Sequence, residues 1–299
     1  GGPGRARARG ERTRPAAGSP TRRCHEGELP MPTAGSGRRH ESPGRARPRW
    51  GTGRPRRAGF LRGGLVVTLA AGALAIAPSA QAAPDGNLTD LQAALAACSG
   101  TPASPYTVAL SATLSDPGAP LTVACDAEID LAGHDLTVRN IIVNTGKSLE
   151  VTDTTAGAGT LTADASAASG TAGIQTTGAT LTTSGTAHVT ATGGPGGAGI
   201  GGGRYGNAGT TSSNDTSTIT ATGGHSGAGI GGGSIGDGGT TSSNDTSTIT
   251  ATGGLDGAGI GGGDYGDGGT TTSNDTSTIT ATGGDSGAGI GRASCRERV

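Results

Sequence analysis

The sequence predicts an all-β solenoid: a parallel β-helix with one short helix capping its start. Three observations lead there. Gly accounts for 61 of 299 residues, aromatics for 2% and hydrophobic residues for 31%, which starves an ordinary globular core of large side chains. From Thr190 onward the chain repeats itself every 30 residues. Short alternating pieces follow one another with no second helical pattern between them, which excludes a doubly wound sheet and leaves a β-sandwich or a β-helix. A sandwich has no reason to repeat at a fixed period, so the repeat decides for the solenoid.

Residues 1–53 are Arg/Pro/Gly-rich, lack periodicity and contain no Met before Met31. They read as a disordered or non-native preamble. Residues 1–62 carry 16 Arg against 4 Glu, whereas residues 84–291 carry 18 acidic residues against Arg139, Lys147 and Arg204. A basic arm of this kind can bind nucleic acid. Here it precedes an export signal that would remove it, so no nucleic-acid partner is expected. Residues 54–82 read as that signal peptide: Arg54, Arg56, Arg57 and Arg62, then the apolar run 65–77, then Ala80-Gln81-Ala82 as a small-x-small cleavage site. The run is too short to span a bilayer, which takes about 20 residues, so the mature chain is expected to have no transmembrane segment. The Arg56-Arg57 pair leaves the choice between the general and the twin-arginine export route open.

Residues 83–126 are expected to hold the cap and the first strands. In 87–98, Leu88, Leu91, Leu95 and Cys98 form one apolar stripe; Asn87 or Thr89 can cap the start, and Ser99-Gly100 ends the helix. Export permits disulfides, and Cys98 and Cys125 flank one short segment, so they form a candidate bridge. Strand-like pieces follow at 106–114, 121–123, 128–131, 135–138, 141–143, 148–152 and 160–162, the later ones belonging to irregular coils over 127–189. The 30-residue Gly/Thr-rich repeats occupy 190–291. In each repeat a run such as 216–222 alternates. Ile219 and Ala221 are expected inward, and Thr216, Thr218, Thr220 and Thr222 outward. A second strand at 198–200 would stack Ile200, Ile230, Ile260 and Ile290 in one ladder, with Ile219, Ile249 and Ile279 in another. Residues 209–212 make a weaker third strand, with Asn214-Asp215 at a corner. The tail 292–299 breaks the pattern and reads as anomalous, the mark of a fragment.

The run 129–138 (IDLAGHDLTV), then 148–153 (SLEVTD), 159–163 (GTLTA) and the TATGG-x-x-GAGIGGG repeats resemble a group of repetitive bacterial cell-surface β-helix proteins over residues 88–291. The resemblance implies a right-handed, pectate-lyase-like parallel β-helix in a secreted or cell-surface, adhesin-like protein. It brings no catalytic residues.

Carboxylates are the first place to look for chemistry, since β-helix enzymes often cleave polysaccharide with paired acids. Asp126, Glu128, Asp130, Asp135, Glu150 and Asp153 lie in the early coils, with Glu128 and Asp130 on one face of a strand. Only Arg139 and Lys147 accompany them, too little positive charge for a lyase of anionic sugars, and they read as a solvated outer face. His134 follows Gly133 at a turn and reads as a tolerated polar residue; zinc spacing is absent. Asp237 and Asp267 suggest calcium, but their counterpart in the first repeat is Asn207, and Arg204, Ser234 and Asp264 drift beside them as solvent turns do. GAGIGGG lacks the helix and Lys of a phosphate loop. No cofactor, metal or catalytic residue is therefore expected.

A regular array remains: Thr216, Thr218, Thr220 and Thr222 over Thr246, Thr248, Thr250 and Thr252, continued by Thr276, Thr278, Thr280 and Thr282. Such a grid suits an ice-binding surface; it equally suits an exposed strand face that does not stick to other proteins. Tyr106, Tyr205 and Tyr265 are few for stacking sugar rings. The sequence thus predicts a secreted or wall-associated non-enzymatic repeat protein with an adhesive or structural role. The alternatives are a β-helix that binds or cleaves polysaccharide and, third, an ice-binding surface. The partner is not identified; an extracellular polysaccharide and a host or cell-wall surface are the candidates.

Overall fold

The computed structural model describes Gly1 and residues 87–292. The preamble, the signal peptide and the tail beyond Arg292 lie outside the described residues. A helix, Leu88–Ala97, comes first. Asn87 caps it in an extended conformation, its side chain accepting the Thr89 N–H at 2.7 Å, and Asp90 adds negative charge to the first turn, where the helix dipole favours it. Leu91 and Leu95 are buried, with Leu88 and Cys98 packed beside them. The helix lies on the edge strand Leu114–Val123. Thr122 N–H donates to Gln92 Oε1 at 2.7 Å, Ala124 N–H donates to the Leu95 carbonyl at 3.1 Å, and a disulfide joins Cys98 to Cys125 with the Cα atoms 5.7 Å apart. The helix so covers the Leu121–Val123 end of the edge strand, where it takes up backbone N–H groups that another chain could otherwise pair with.

The chain then winds through coils that each cross three faces. The first face is a seven-stranded parallel sheet of Tyr106–Ala109, Ala127–Asp130, Ser148–Asp153, Thr180–Gly185, Thr210–Ser213, Thr240–Ser243 and Thr270–Ser273. The second and third faces begin as two long strands, Leu114–Val123 and Leu136–Val143, which run round a corner where their pairing shifts register between Asp116 and Pro120. The second face continues through Thr160–Asp164, His188–Thr192, Thr218–Thr222, Thr248–Thr252 and Thr278–Thr282. The third continues through two-residue strands, Ile174–Gln175, Ile200–Gly201, Ile230–Gly231, Ile260–Gly261 and Ile290–Gly291. Each pairing is parallel and joins one coil to the next. The fold is a right-handed parallel β-helix.

Several boundaries differ from the sequence expectation. The piece 106–114 is divided, with Tyr106–Ala109 on the first face and Leu114 opening the long strand that also takes in 121–123. The pieces 135–138 and 141–143 are one strand, because Arg139 and Asn140 carry the chain round the corner in extended form. The repeat strand starts at Thr218, not at Thr216, because Asp215 adopts φ 56° and turns the chain, which leaves Thr216 in the turn. Asn and Asp tolerate that left-handed conformation better than other non-Gly residues, and the same corner recurs at Asp245 and Asp275.

The coil also grows. Tyr106 pairs with Ala127, Leu136 with Leu161 and Thr210 with Thr240, so the early coils are shorter than the 30-residue repeats. The added residues form glycine-rich turns on either side of the third face. Gly231 shows why they must be glycine. Its φ is +144°, and a Cβ there would lie 1.8 Å from the Gly261 carbonyl oxygen in the next coil. Neither the conformation nor the contact admits a side chain.

Two apolar ladders run down the inside. Leu136, Leu161, Val189, Ile219 and Ile249 stack behind the second face, and Ile141, Ile174, Ile200, Ile230 and Ile260 behind the third, all at most 3% exposed. Burying each such side chain contributes about 1.5–3 kcal/mol. At the last coil Ile290 is 55% exposed. The interior of the first face changes character along the axis. Ile129 and Val151 are followed in the same column by Thr183, Ser213 and Ser243. There Thr183 Oγ1 lies 3.1 Å from Ser213 Oγ and 3.0 Å from Ser217 Oγ. Ser217 donates to the Asn214 carbonyl at 2.7 Å, and Ser247 to the Ser213 carbonyl at 2.9 Å. Buried hydroxyls are tolerated when bonded in this way, so the repeats keep a filled interior without large apolar residues on that face.

Candidate functional site

The early carboxylates include three that secure turns and one half-buried pair. Asp153 is 1% exposed and accepts hydrogen bonds from Thr155 N–H and Oγ–H, Gly133 N–H at 3.2 Å and Gly159 N–H. Burial disfavours its charge, but these donors outweigh burial and hold its pKa below the ordinary value. It pins the turn after Leu131. Asp126, also buried, is opposed by burial in the same way. It is brought below the ordinary value by the Ser148 side chain and backbone, then by Lys147, whose Nζ lies 3.6 Å away. Asp130 accepts from Ala132 N–H at 2.9 Å and from Thr154 Oγ–H at 2.8 Å. These three secure turns.

Glu128 and Glu150 stand apart from them. They occupy paired positions on the outer side of the first face, one coil apart. Burial raises the Glu128 pKa first, the neighbouring charges of Glu150 and Asp130 raise it further, and a hydrogen bond from Thr107 only partly offsets this. Glu150 accepts from Ser184 Oγ–H at 2.7 Å. Two carboxylates in unlike surroundings can divide into an acid and a base. His134 takes no part; its N–H donates to the Leu131 carbonyl in the turn. Asp135 accepts the Thr160 N–H at 3.0 Å.

The second face carries the threonine grid. Thr137, Thr162, Thr190, Thr220, Thr250 and Thr280 form one outer column; Thr218, Thr248 and Thr278 lie on one side of it, and Thr222, Thr252 and Thr282 on the other. The Thr216 and Thr246 hydroxyls do not join this face. From the turn they donate to the Gly185 and Asp215 carbonyls of the preceding coil, both at 2.9 Å.

The corner residues also stack coil on coil. Asp237 N–H donates to Asn207 Oδ1 at 2.9 Å, and Asp267 N–H to Asp237 Oδ1 at 2.8 Å. Asp215 N–H donates to Asp245 Oδ2 at 3.1 Å. These side chains satisfy backbone donors of adjoining coils, which accounts for Asn or Asp at the positions. Among the described residues no group of His, Cys, Asp and Glu is arranged to hold a metal ion, and no helix is long and apolar enough to cross a membrane. A shallow cleft of about 430 Å³ opens beside Asp126, Lys147 and Gly178, and Lys147 is already engaged there with Asp126.

The chain is similar to a family described as a beta helix repeat, whose profile matches residues 178–204, 214–234, 244–264 and 274–291. No curated protein and no solved structure matches it. With the coils above, this defines a parallel β-helix repeat protein, a class that includes both enzymes and non-enzymes.

Proposed function

We propose that the chain is an exported, non-enzymatic surface protein that acts as an adhesive or structural spacer. One observation carries the reading most: the repeats hold strict register across the second face, so each further 30 residues add one identical rung of outward Thr about 4.8 Å along the axis. Reach and contact sites then grow together, which suits weak multivalent attachment. The signal-like segment 54–82 and the Cys98–Cys125 disulfide both fit an oxidising, extracellular setting. Removing residues 220–249 tests the reading, because Ile219 would then join Thr250 in the geometry it has with Thr220. The shortened chain should be exported intact and be retained less well on the cell surface. Retention in the cytoplasm, or unchanged surface retention, would overturn the proposal.

A second reading, cleavage of polysaccharide, is favoured by the Glu128–Glu150 pair alone. Release of reducing ends from a panel of neutral and acidic polysaccharides, abolished by Glu128→Gln, would support it. A wild-type chain inactive on the whole panel removes it.

A further inference from the structure

Large apolar side chains are rare in this protein, yet five are exposed among the described residues: Tyr205, Ile235, Leu255, Tyr265 and, at the open last coil, Ile290. Three of the five are one position repeated. Tyr205, Ile235 and Tyr265 follow each other at 30-residue intervals, on the turn that joins the third face to the first, and are 69%, 56% and 54% exposed. The turns stack closely. Ile235 N–H donates to the Arg204 carbonyl at 3.2 Å, and a Cβ on Gly236 or Gly266 would meet the carbonyl oxygen of Gly206 or Gly236 at 1.9 or 2.0 Å. The three side chains therefore form a ridge parallel to the solenoid axis. The Arg204 guanidinium lies 5.4 Å from the Tyr205 ring centroid and braces it. Tyr265 sits at φ +69°, a conformation unfavourable for a bulky residue. Leu255 stands on the neighbouring turn of the same repeat.

We infer that this ridge binds an extended, uncharged, β-linked polysaccharide lying along the axis, with Tyr205 and Tyr265 stacked on alternate sugars and Ile235 beneath the sugar between them. Spacing is the first argument. Two coils of a parallel stack rise about 9.6 Å, close to the disaccharide repeat of an extended β-1,4-linked chain, so a ligand with a two-unit period meets a ring at every second unit. Shape is the second. The ridge follows one repeat position from coil to coil, which suits a linear polymer; a folded protein partner needs a patch broad in two dimensions. Charge is the third. The carboxylates of Asp237, Asp264 and Asp267 flank the ridge, Asp267 being paired with Arg292 at 2.9 Å. They can accept hydrogen bonds from sugar hydroxyls and repel an anionic polymer. The aromatic faces meet the axial C–H surfaces of the sugars, and the phenol ends stay in water.

The inference rests on the extracellular reading above, because such polymers lie outside cells. Affinity electrophoresis of the secreted chain in native gels tests it, with hydroxyethylcellulose as the neutral β-linked probe, polygalacturonate as the anionic one and soluble starch as the α-linked one. The wild type should be retarded by hydroxyethylcellulose alone. Tyr205→Ala and Tyr265→Ala should each weaken retardation at least tenfold, and the paired Tyr205→Phe, Tyr265→Phe variant should keep it. Both positions are exposed turns, so unchanged circular dichroism will separate lost binding from misfolding. Equal retardation by all three polymers, or Ala variants that bind like wild type, overturns the ridge. So does loss in the Phe variant equal to that in the Ala variants. If hydroxyethylcellulose gives no retardation while the protein still fractionates with the cell surface, the ridge falls and the spacer role stands.

Discussion

Asn244 stands over Asn214 with its Nδ2 donating to Asn214 Oδ1 at 2.8 Å, and Asn274 repeats the bond to Asn244 at 2.7 Å. The three amides form a ladder at the corner between the first and second faces, in which the middle one, Asn244, works as both donor and acceptor along the axis. Asn244→Ala removes two of these bonds and should lower stability by about 1–2 kcal/mol, read as a shift in the urea midpoint. No shift would mean that the ladder adds nothing beyond the backbone pairing beneath it.

Ile230 and Ser234 test the internal ladder. Ile230 is 2% exposed between Ile200 and Ile260, whereas Ser234 lies in a turn. Ile230→Asp places an unpaired charge between two layers and should cost several kcal/mol; Ser234→Asp should cost about 0.5 kcal/mol or less. Protease resistance and melting temperature should separate the two variants widely.

The early coils should respond to acid in opposite senses at two carboxylates. Asp153 has a lowered folded pKa, so its contribution is complete above the unfolded value, near 3.8, and is lost as pH falls through the folded value. Asp153→Asn should therefore be destabilised at pH 7, and the gap to wild type should narrow at about pH 3. Glu128 has a raised pKa, so its contribution is complete below the unfolded value, near 4.5, and is lost as pH rises through the folded one. Glu128→Gln should be more stable than wild type at pH 7 and no different at about pH 3. Urea midpoints at the two pH values would check both variants.

Reduction should loosen the cap before the coils. The Cys98–Cys125 bridge closes a loop of sequence separation 27, for which loop entropy gives about 3.5 kcal/mol. Hydrogen exchange after treatment with dithiothreitol should rise first in Leu88–Ala97, with the repeat amides still protected. Uniform loss of protection would mean that the cap and repeats unfold as one unit.

Much of this architecture was legible in the sequence because the apolar signal recurs. Ile200, Ile230 and Ile260, and Ile219 and Ile249, announce two inner columns by spacing alone, and Leu91 and Leu95 announce the cap. The interior of the first face was not legible. Thr211, Ser213 and Ser217 point inward, and a buried hydroxyl bonded to its neighbours has the same letter as one in water. The Glu128–Glu150 pairing depends on the register of a short coil that no repeat marks. Tyr205 and Tyr265 read, with Tyr106, as too few to stack sugar rings, since only the stacking of coils lines Tyr205, Ile235 and Tyr265 up on one edge.

The hydroxyl-filled interior also shapes the response of the repeats to temperature. Heat capacity rises when apolar surface meets water and falls when polar surface does. A repeat coil unfolding would uncover two Ile, two Ala and a large amount of Gly backbone, Thr and Ser, so its heat-capacity increment should lie below the roughly 12–15 cal/mol/K per residue of ordinary domains. A small increment flattens the stability curve. The repeat region should therefore lose little of its stability on cooling, because its core contains so little oil.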